Sequence, residues 1–244
     1  MRLFMNACAL LVKVLTLPLH IAEVIGLLSF YKRVFPLIVY KISFSYNDKM
    51  NDNKRELFRN LDKFFPPKGS LRILELGCGS GANFEHYPTG CRITCIDPNP
   101  HFQKYLEKSM AKNDHLVYDN FIVAWGENLK AVEDNSMDVV VCTLVLCSVQ
   151  DTQKVLQEAK RVLKPGGAFF FIEHVVSDPS SWIYFFQHVL QPFWSLQCCG
   201  DVTTWEHYTI TPDVPEVAGI QGKHLLKRKE AGSQGPSSHP GCKI

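Results

Sequence analysis

The chain has 244 residues, 46% of them hydrophobic and 20% charged, with a formal net charge of +2. That length holds one large α/β domain with an appendage, or two small domains, and either can bury a core. The near-neutral balance, without a basic stripe, argues against an extended nucleic-acid surface and implies no strongly acidic or basic partner.

The amino end, residues 3–30 (LFMNACALLVKVLTLPLHIAEVIGLLSF), is far more apolar than the rest. It is long enough for a membrane span of ~20 apolar residues, although Lys13, His20 and Glu23 interrupt it. No small-x-small site follows it, which disfavours a cleaved signal peptide. An amphipathic helix capping a soluble domain is the plain alternative. The favoured expectation is a retained anchor over residues 1–44, spanning or lying in one leaflet. Lys13 can snorkel to the headgroups, and Pro18 and Gly26 permit a bend into a hairpin. Lys32-Arg33 and the thiol-rich body favour a catalytic domain facing the cytosol, in contact with membrane lipids.

Residues 45–69 are polar, with Leu57, Phe58, Leu61, Phe64 and Phe65 at helical spacing, and predict an amphipathic linker helix ending before Pro66-Pro67. From residue 70, apolar runs at 71–76, 92–96, 118–123, 138–143 and 168–174 predict strands. Segments 82–86, 100–113 and 151–163 predict helices, the last beginning at a good N-cap and stopping before Lys164-Pro165-Gly166-Gly167. Such alternation predicts a doubly wound, mostly parallel α/β sheet covered on both faces, with its ligand outside the carboxyl ends of the strands.

Nine cysteines are present, yet no CxxC pair occurs, so neither a zinc knuckle nor a dithiol redox site is indicated, and no metal is expected. Cys142 and Cys147 sit in apolar surroundings as small hydrophobes, and the adjacent Cys198-Cys199 is read as an inert pair.

Gly77, Gly79 and Gly81 follow the first strand directly, as a turn to which a ligand can come close. Asp97 closes the second strand about 20 residues beyond Gly77, where a carboxylate can take two ribose hydroxyls. The spacing Gly77-x-Gly79-x-x-Ala82 also satisfies a dinucleotide fingerprint, and a purely structural tight turn is the plain reading. Glu75 shifts the balance, because a carboxylate inside a strand is costly without a partner. A pyrophosphate would repel it, whereas the ammonium of an amino acid joined to a nucleoside would be attracted.

These residues resemble class I S-adenosylmethionine-dependent methyltransferases. LELGCGSGANF resembles their first motif, Asp97-Pro98 the ribose-binding corner, and Gly126-Glu127-Asn128 the adenine-side loop. DNSMDVVVCTLVLCSV and RVLKPGGAFFFIEHV resemble the fourth strand and the turn before the fifth. NKRELF, GANFEHYPTGCRITCIDPNPHF, DVVVCTLVLCSVQ and QHVLQPFW narrow the resemblance to the methyltransferase-like 7 family, membrane-bound alkyl-thiol methyltransferases. The resemblance implies S-adenosylmethionine as cofactor, small apolar aliphatic thiols as acceptors, and residence on the endoplasmic reticulum and lipid droplets. It assigns Glu75, Gly77, Gly79 and Gly81 to the methionine end, Asp97 and Pro98 to the ribose, Glu127 and Asn128 to adenine, and Cys142 and Thr143 to the sulfonium side.

His174, just past the fifth strand, is the candidate base or acceptor-orienting group, with a satisfied core or loop histidine as the plain reading. His86, His101 and His188 are weaker candidates. Trp182, Tyr184, Phe185, Phe186, Phe193 and Trp194 either wall an apolar acceptor pocket or are core or membrane-facing surface. After Trp194 the resemblance fails. In residues 197–244 only Val202 to Ile210 reads as a strand, and the end reads as disordered, which would leave a flank of the fifth strand bare. A non-catalytic membrane-bound variant with an altered carboxyl end is therefore the rival reading. An enzyme acting on RNA or protein is disfavoured by the charge, and a nicotinamide oxidoreductase by Glu75.

Overall fold

The computed structural model describes residues 27–173 continuously, together with 6–8, 10–12, 14, 17, 180–182, 184–186, 188–189 and 219–224. Six strands form one parallel sheet in the order β3-β2-β1-β4-β5-β6: β1 (Arg72–Leu76), β2 (Arg92–Ile96), β3 (Val117–Ile122), β4 (Met137–Thr143), β5 (Leu163–Glu173) and β6 (Gly219–His224). Helices α1 (Leu27–Phe58), α2 (Gln103–Met110) and α3 (Thr152–Val162) complete the described elements, with short 3-10 turns between them.

The alternation of side chains along each central strand divides the core in two. Ile73, Val139, Val141, Phe170 and Ile172 pack on one face with Met50, Leu57 and Phe58 of α1 and Leu106 of α2. Leu74, Leu76, Val140, Cys142, Phe169 and Phe171 pack on the other with Val155, Ala159 and Val162 of α3. Because both faces are covered, the middles of β1 and β4 are mostly apolar, and the carboxylates within them, Glu75 and Asp138, are each given donors.

α3 begins where the side chain of Asp151 accepts the Lys154 N–H at 3.0 Å, an N-cap that supplies one of the orphan donors of the first turn. It stops at Val162, as the Pro-Gly-Gly signal requires, and Gly166 takes φ +82° in the bend before the apolar part of β5. β3 starts one residue earlier than expected. Residues 82–86 form turns and a short 3-10 segment in place of the expected helix, because the backbone there is still completing the glycine turn.

α1 runs straight across the expected boundary between anchor and linker. Its segment 34–44, expected to belong to the membrane, lies against the domain: Phe35 meets Phe102 edge-on at 6.0 Å, and Tyr40 meets Tyr105 at 5.1 Å. Asn99 Nδ2 donates to the carbonyl of Lys32 at 3.0 Å. Pro36, which removes a helix hydrogen bond, is buried beside this packing. Among the described residues no helix is long and apolar enough to cross a membrane.

β6 corrects the expectation of a bare flank. It pairs in parallel with β5 from Ala168 opposite Gly219 to Glu173 opposite His224. An unpaired strand edge offers a row of backbone donors and acceptors, and the short run Gly219-Ile220-Gln221-Gly222 meets it despite the polar tail around it. The expected strand at 202–210 lies outside the described residues.

Phe170 ties the layers together. It is fully buried, 6.3 Å from Phe58 and 5.7 Å from Phe64. Phe170→Ala is expected to cost about 3–5 kcal/mol, read as a lower denaturation midpoint for the detergent-solubilised chain.

Candidate active site

Four strands deliver polar groups to the carboxyl end of the sheet. The glycine turn leaves β1 with Gly77, Gly79 and Gly81 at φ +56°, +51° and +77°, conformations that residues with a Cβ rarely adopt. Space is equally restrictive. A Cβ at Gly77 would lie 2.4 Å from Val145 Cγ2, and one at Gly81 2.5 Å from the Phe84 ring. The Cys78 N–H donates to the Ile96 carbonyl at 3.1 Å, so the turn is fastened to the end of β2.

Asp97, just beyond β2, is buried and faces this turn. Oδ2 accepts the Gly79 N–H at 3.1 Å and Oδ1 the Asn99 N–H at 2.8 Å. Burial pushes its carboxyl up to about 6, against the two N–H groups that favour the ionised form. It is therefore ionised at neutral pH and held by the residues it was expected to serve with. Pro98 beside it is exposed.

Glu75 is fully buried, but its partners lie inside the chain. Oε1 accepts from Asn83 Nδ2 at 2.9 Å and Oε2 from the Tyr87 hydroxyl at 2.7 Å. Desolvation raises its pKa to about 7, offset in part by those bonds and by Lys54. Lys54 on α1 is itself buried and donates at 2.8 Å both to the Ala82 carbonyl and to Asn47 Oδ1, while Asn47 Nδ2 reaches the same carbonyl at 3.0 Å. Burial lowers the lysine to about 8, with Glu75 and Glu85 opposing the shift. The strand carboxylate that suggested a ligand ammonium thus has an internal explanation. Its link to the site runs through Asn83, which also donates to Thr143 Oγ1 at 2.9 Å and keeps Oδ1 buried with no partner among the described residues.

On the far side, Glu127 Oε1 accepts the Gln150 N–H at 2.8 Å, and Oε2 is buried with no partner among the described residues. Asn128 is exposed and closes a turn onto the Trp125 carbonyl at 3.0 Å. Val123 and Trp125, which sequence reasoning passed over, stand about half exposed beside this loop.

Cys142 and Thr143 end β4 as expected, and Cys142 is wholly buried, its thiol pKa pushed up by desolvation and by Glu173. Glu173, at the end of β5, is the functional group the sequence reading missed. Oε1 accepts the Val145 and Leu146 N–H groups, each at 2.9 Å, and lies 3.8 Å from Cys142 Sγ. Burial raises its carboxyl to about 7 against those donors. The available signal was the one used for Glu75, a carboxylate within an otherwise apolar run.

His174 lies outside the described residues, as do Phe193 and Trp194. His86 stacks on Phe58 at 6.1 Å beneath α1, and burial lowers its pKa. The His101 N–H is taken by Asn99 Oδ1 at 3.0 Å in the turn before α2, and His188 stacks on Tyr184 at 6.3 Å. Trp182 and Phe186 are exposed.

The described arrangement fits an amino acid joined to a nucleoside. The glycine turn brings bare backbone to the ligand end, Asp97 offers an oriented carboxylate, and Asn83 and Glu127 each present an unfilled acceptor oxygen.

Gly77→Ala is expected to cost about 1–3 kcal/mol from backbone strain alone, with the Val145 clash added, and chemical denaturation measures it. Glu75, Asp97 and Glu173 all hold protons to higher pH when folded than when unfolded. Their contribution to stability is full below the ordinary carboxylate range and is lost as pH rises to about 7. In thermal melts of the ligand-free chain, Asp97→Asn is expected to lessen the fall in Tm between about pH 4 and pH 6, the window set by Asp97 itself.

A methyltransferase domain profile matches residues 74–171. Thiol S-methyltransferase TMT1A of Homo sapiens is 54% identical over 177 residues, covering 72% of this chain and 72% of that protein. Thiol S-methyltransferase TMT1B is 51% identical over 201 residues in Homo sapiens, 81% of this chain and 82% of that protein. The TMT1B of Rattus norvegicus is 53% identical over 186 residues, covering 76% of each. On the strength of these matches and the parallel sheet with its glycine turn, the chain belongs to the thiol S-methyltransferase family, within the class I S-adenosylmethionine-dependent methyltransferases.

Proposed function

We propose that this chain methylates small aliphatic thiols with S-adenosylmethionine at the membranes of the endoplasmic reticulum and lipid droplets, its catalytic domain facing the cytosol. The observation that carries the reading is Asp97, a buried carboxylate oriented by the Gly79 N–H across the glycine turn. Gly77, Gly79 and Gly81 would lie along the methionine end, and Asp97 with Pro98 would hold the ribose. Glu127 and Asn128 would stand beside adenine, with Trp125 offering apolar surface there. Thr143 and Cys142 would border the reacting end.

The cofactor supplies a methyl group already activated by its sulfonium. The chain's task is to align the thiol and exclude water, which is worth up to about 7–11 kcal/mol of barrier. A free thiol ionises near ~8.5, so a modest base at the site suffices. From the sequence, His174 just past β5 is a candidate for that role.

Membrane residence is supported by the exposed apolar side chains Leu10, Leu11, Val14 and Leu17 near the amino end and Phe30, Leu37 and Ile38 on α1. They suit a monotopic contact in which apolar groups enter the acyl boundary. The rival reading, a non-catalytic membrane-bound variant, is favoured by one observation. β6 pairs in parallel with β5, where a class I methyltransferase normally carries an antiparallel hairpin on the acceptor side.

Calorimetry of S-adenosylmethionine with the detergent-solubilised full chain separates the two. Wild type is expected to bind, and Asp97→Ala to bind about 10- to 100-fold more weakly, the worth of a charged hydrogen bond. Methylation of added butanethiol should follow binding. A wild-type chain that neither binds nor methylates sinks the catalytic reading. Flotation with phosphatidylcholine vesicles tests the membrane contact, and a chain left at the bottom of the gradient would refute it.

A further inference from the structure

We propose that Glu173 is the group that takes the proton from the acceptor thiol, through its free oxygen Oε2. The inference rests on the thiol-methylation reading and assigns the base that this reading requires.

Position comes first. Glu173 ends β5, directly beside the end of β4, where Thr143 lies in register with Ile172. This is the ligand end of a parallel sheet, shared with Asn83, Thr143 and the glycine turn. The two oxygens of the carboxylate are treated differently. Oε1 is held by the Val145 and Leu146 N–H groups at 2.9 Å, which fixes the direction of the whole group. Oε2 is buried and makes no geometric hydrogen bond among the described residues, the Cys147 N–H being the third backbone donor close enough to favour the ionised carboxylate. A buried acceptor left empty is costly, so this one asks for a donor that the described residues do not supply. An S–H group is such a donor.

The same clamp places Val145 against Gly77. The Leu144 backbone is turned to φ +58° so that the chain leaves β4 sharply, and the side chain of Val145 then fills the space a Cβ at Gly77 would need. The oxygen proposed to meet the thiol and the loop against Gly77 are therefore set by one carboxylate. Its affinity for a proton, raised to about 7 by burial, is suited to a group that collects one near neutral pH. Among the described residues the other candidate bases stand elsewhere: His86 lies under α1 against Phe58 and His101 sits in the turn before α2, while His174 lies outside the described residues. In the proposed step the S–H bond breaks, an O–H bond forms on Oε2, and the electron pair stays on sulfur as the thiolate. The proton passes to solvent when the carboxyl reionises.

Glu173→Gln separates this role from a clamp, because the amide oxygen can keep both N–H bonds while its nitrogen accepts no proton. Expected is a loss of about 100- to 10,000-fold in kcat/KM for butanethiol, with S-adenosylmethionine affinity retained. Para-nitrothiophenol, already ionised in neutral water, should be methylated by the variant nearly as fast as by wild type. Infrared difference spectra of the cofactor-free chain should show a protonated-carboxyl band that is displaced by butanethiol and absent from Glu173→Gln. Parallel losses for both thiols, with the band unmoved by butanethiol, would overturn the proposal and leave Glu173 as a loop clamp. A wild-type chain that fails to bind S-adenosylmethionine would count against the methyltransferase reading instead. The response of the carboxyl band to butanethiol would still decide whether a thiol meets Glu173.

Discussion

The arrangement depends on a carboxylate placed where carboxylates do not belong. Glu75 sits in the central strand of a sheet covered on both faces and is buried from solvent. Burial of that kind is tolerated only when donors are supplied, and the chain brings them from separate elements: Asn83 and Tyr87 after the glycine turn, with Lys54 of α1 near enough to favour its charge. Each donor is thereby fixed in turn. Lys54 holds the Ala82 carbonyl, Asn83 reaches Thr143, and the glycine turn is caught between the amino-terminal helix and the end of β4.

Glu173 and Asp97 repeat the device at the ends of β5 and β2, with backbone N–H groups as the donors. The result is a ligand end built from three buried carboxyls, all with raised proton affinity and all oriented by at least two hydrogen bonds. Such groups are stiff, because moving any one of them leaves a donor or an acceptor stranded. The differences between them lie in what is left over. Glu75 has both oxygens engaged, Asp97 keeps lone pairs beside the turn, and Glu173 keeps a whole oxygen.

α1 ties the amino-terminal region to the candidate site. Its inner face, with Met50, Lys54, Leu57 and Phe58, is part of the core and of the glycine-turn network, while Phe30, Leu37 and Ile38 remain exposed. Contact of that outer face with a lipid surface would be transmitted to the cofactor loop through one rigid element rather than through a linker.

Local chemistry made the cofactor half legible from the sequence. Mostly apolar runs define covered parallel strands, three glycines at positive φ define the turn, Asp151 and Pro165-Gly166-Gly167 bound α3, and Asp97 stands where a second strand must end. These signals are short-range, so they survive without a fold to interpret them. The partners of Glu75 and the placing of Glu173 were not legible, since each depends on residues far apart in the chain meeting in the low-dielectric interior. The pairing of β6 was hidden for a related reason: a short strand amid polar residues forms because the edge of β5 offers it hydrogen bonds, not because its own composition demands it. Sequence alone determined that a carboxylate lies buried at this site. Tertiary structure decided which carboxylates are satisfied and which, Glu127 and Glu173 among the described residues, have a buried oxygen to spare, because only packing settles where a donor can reach.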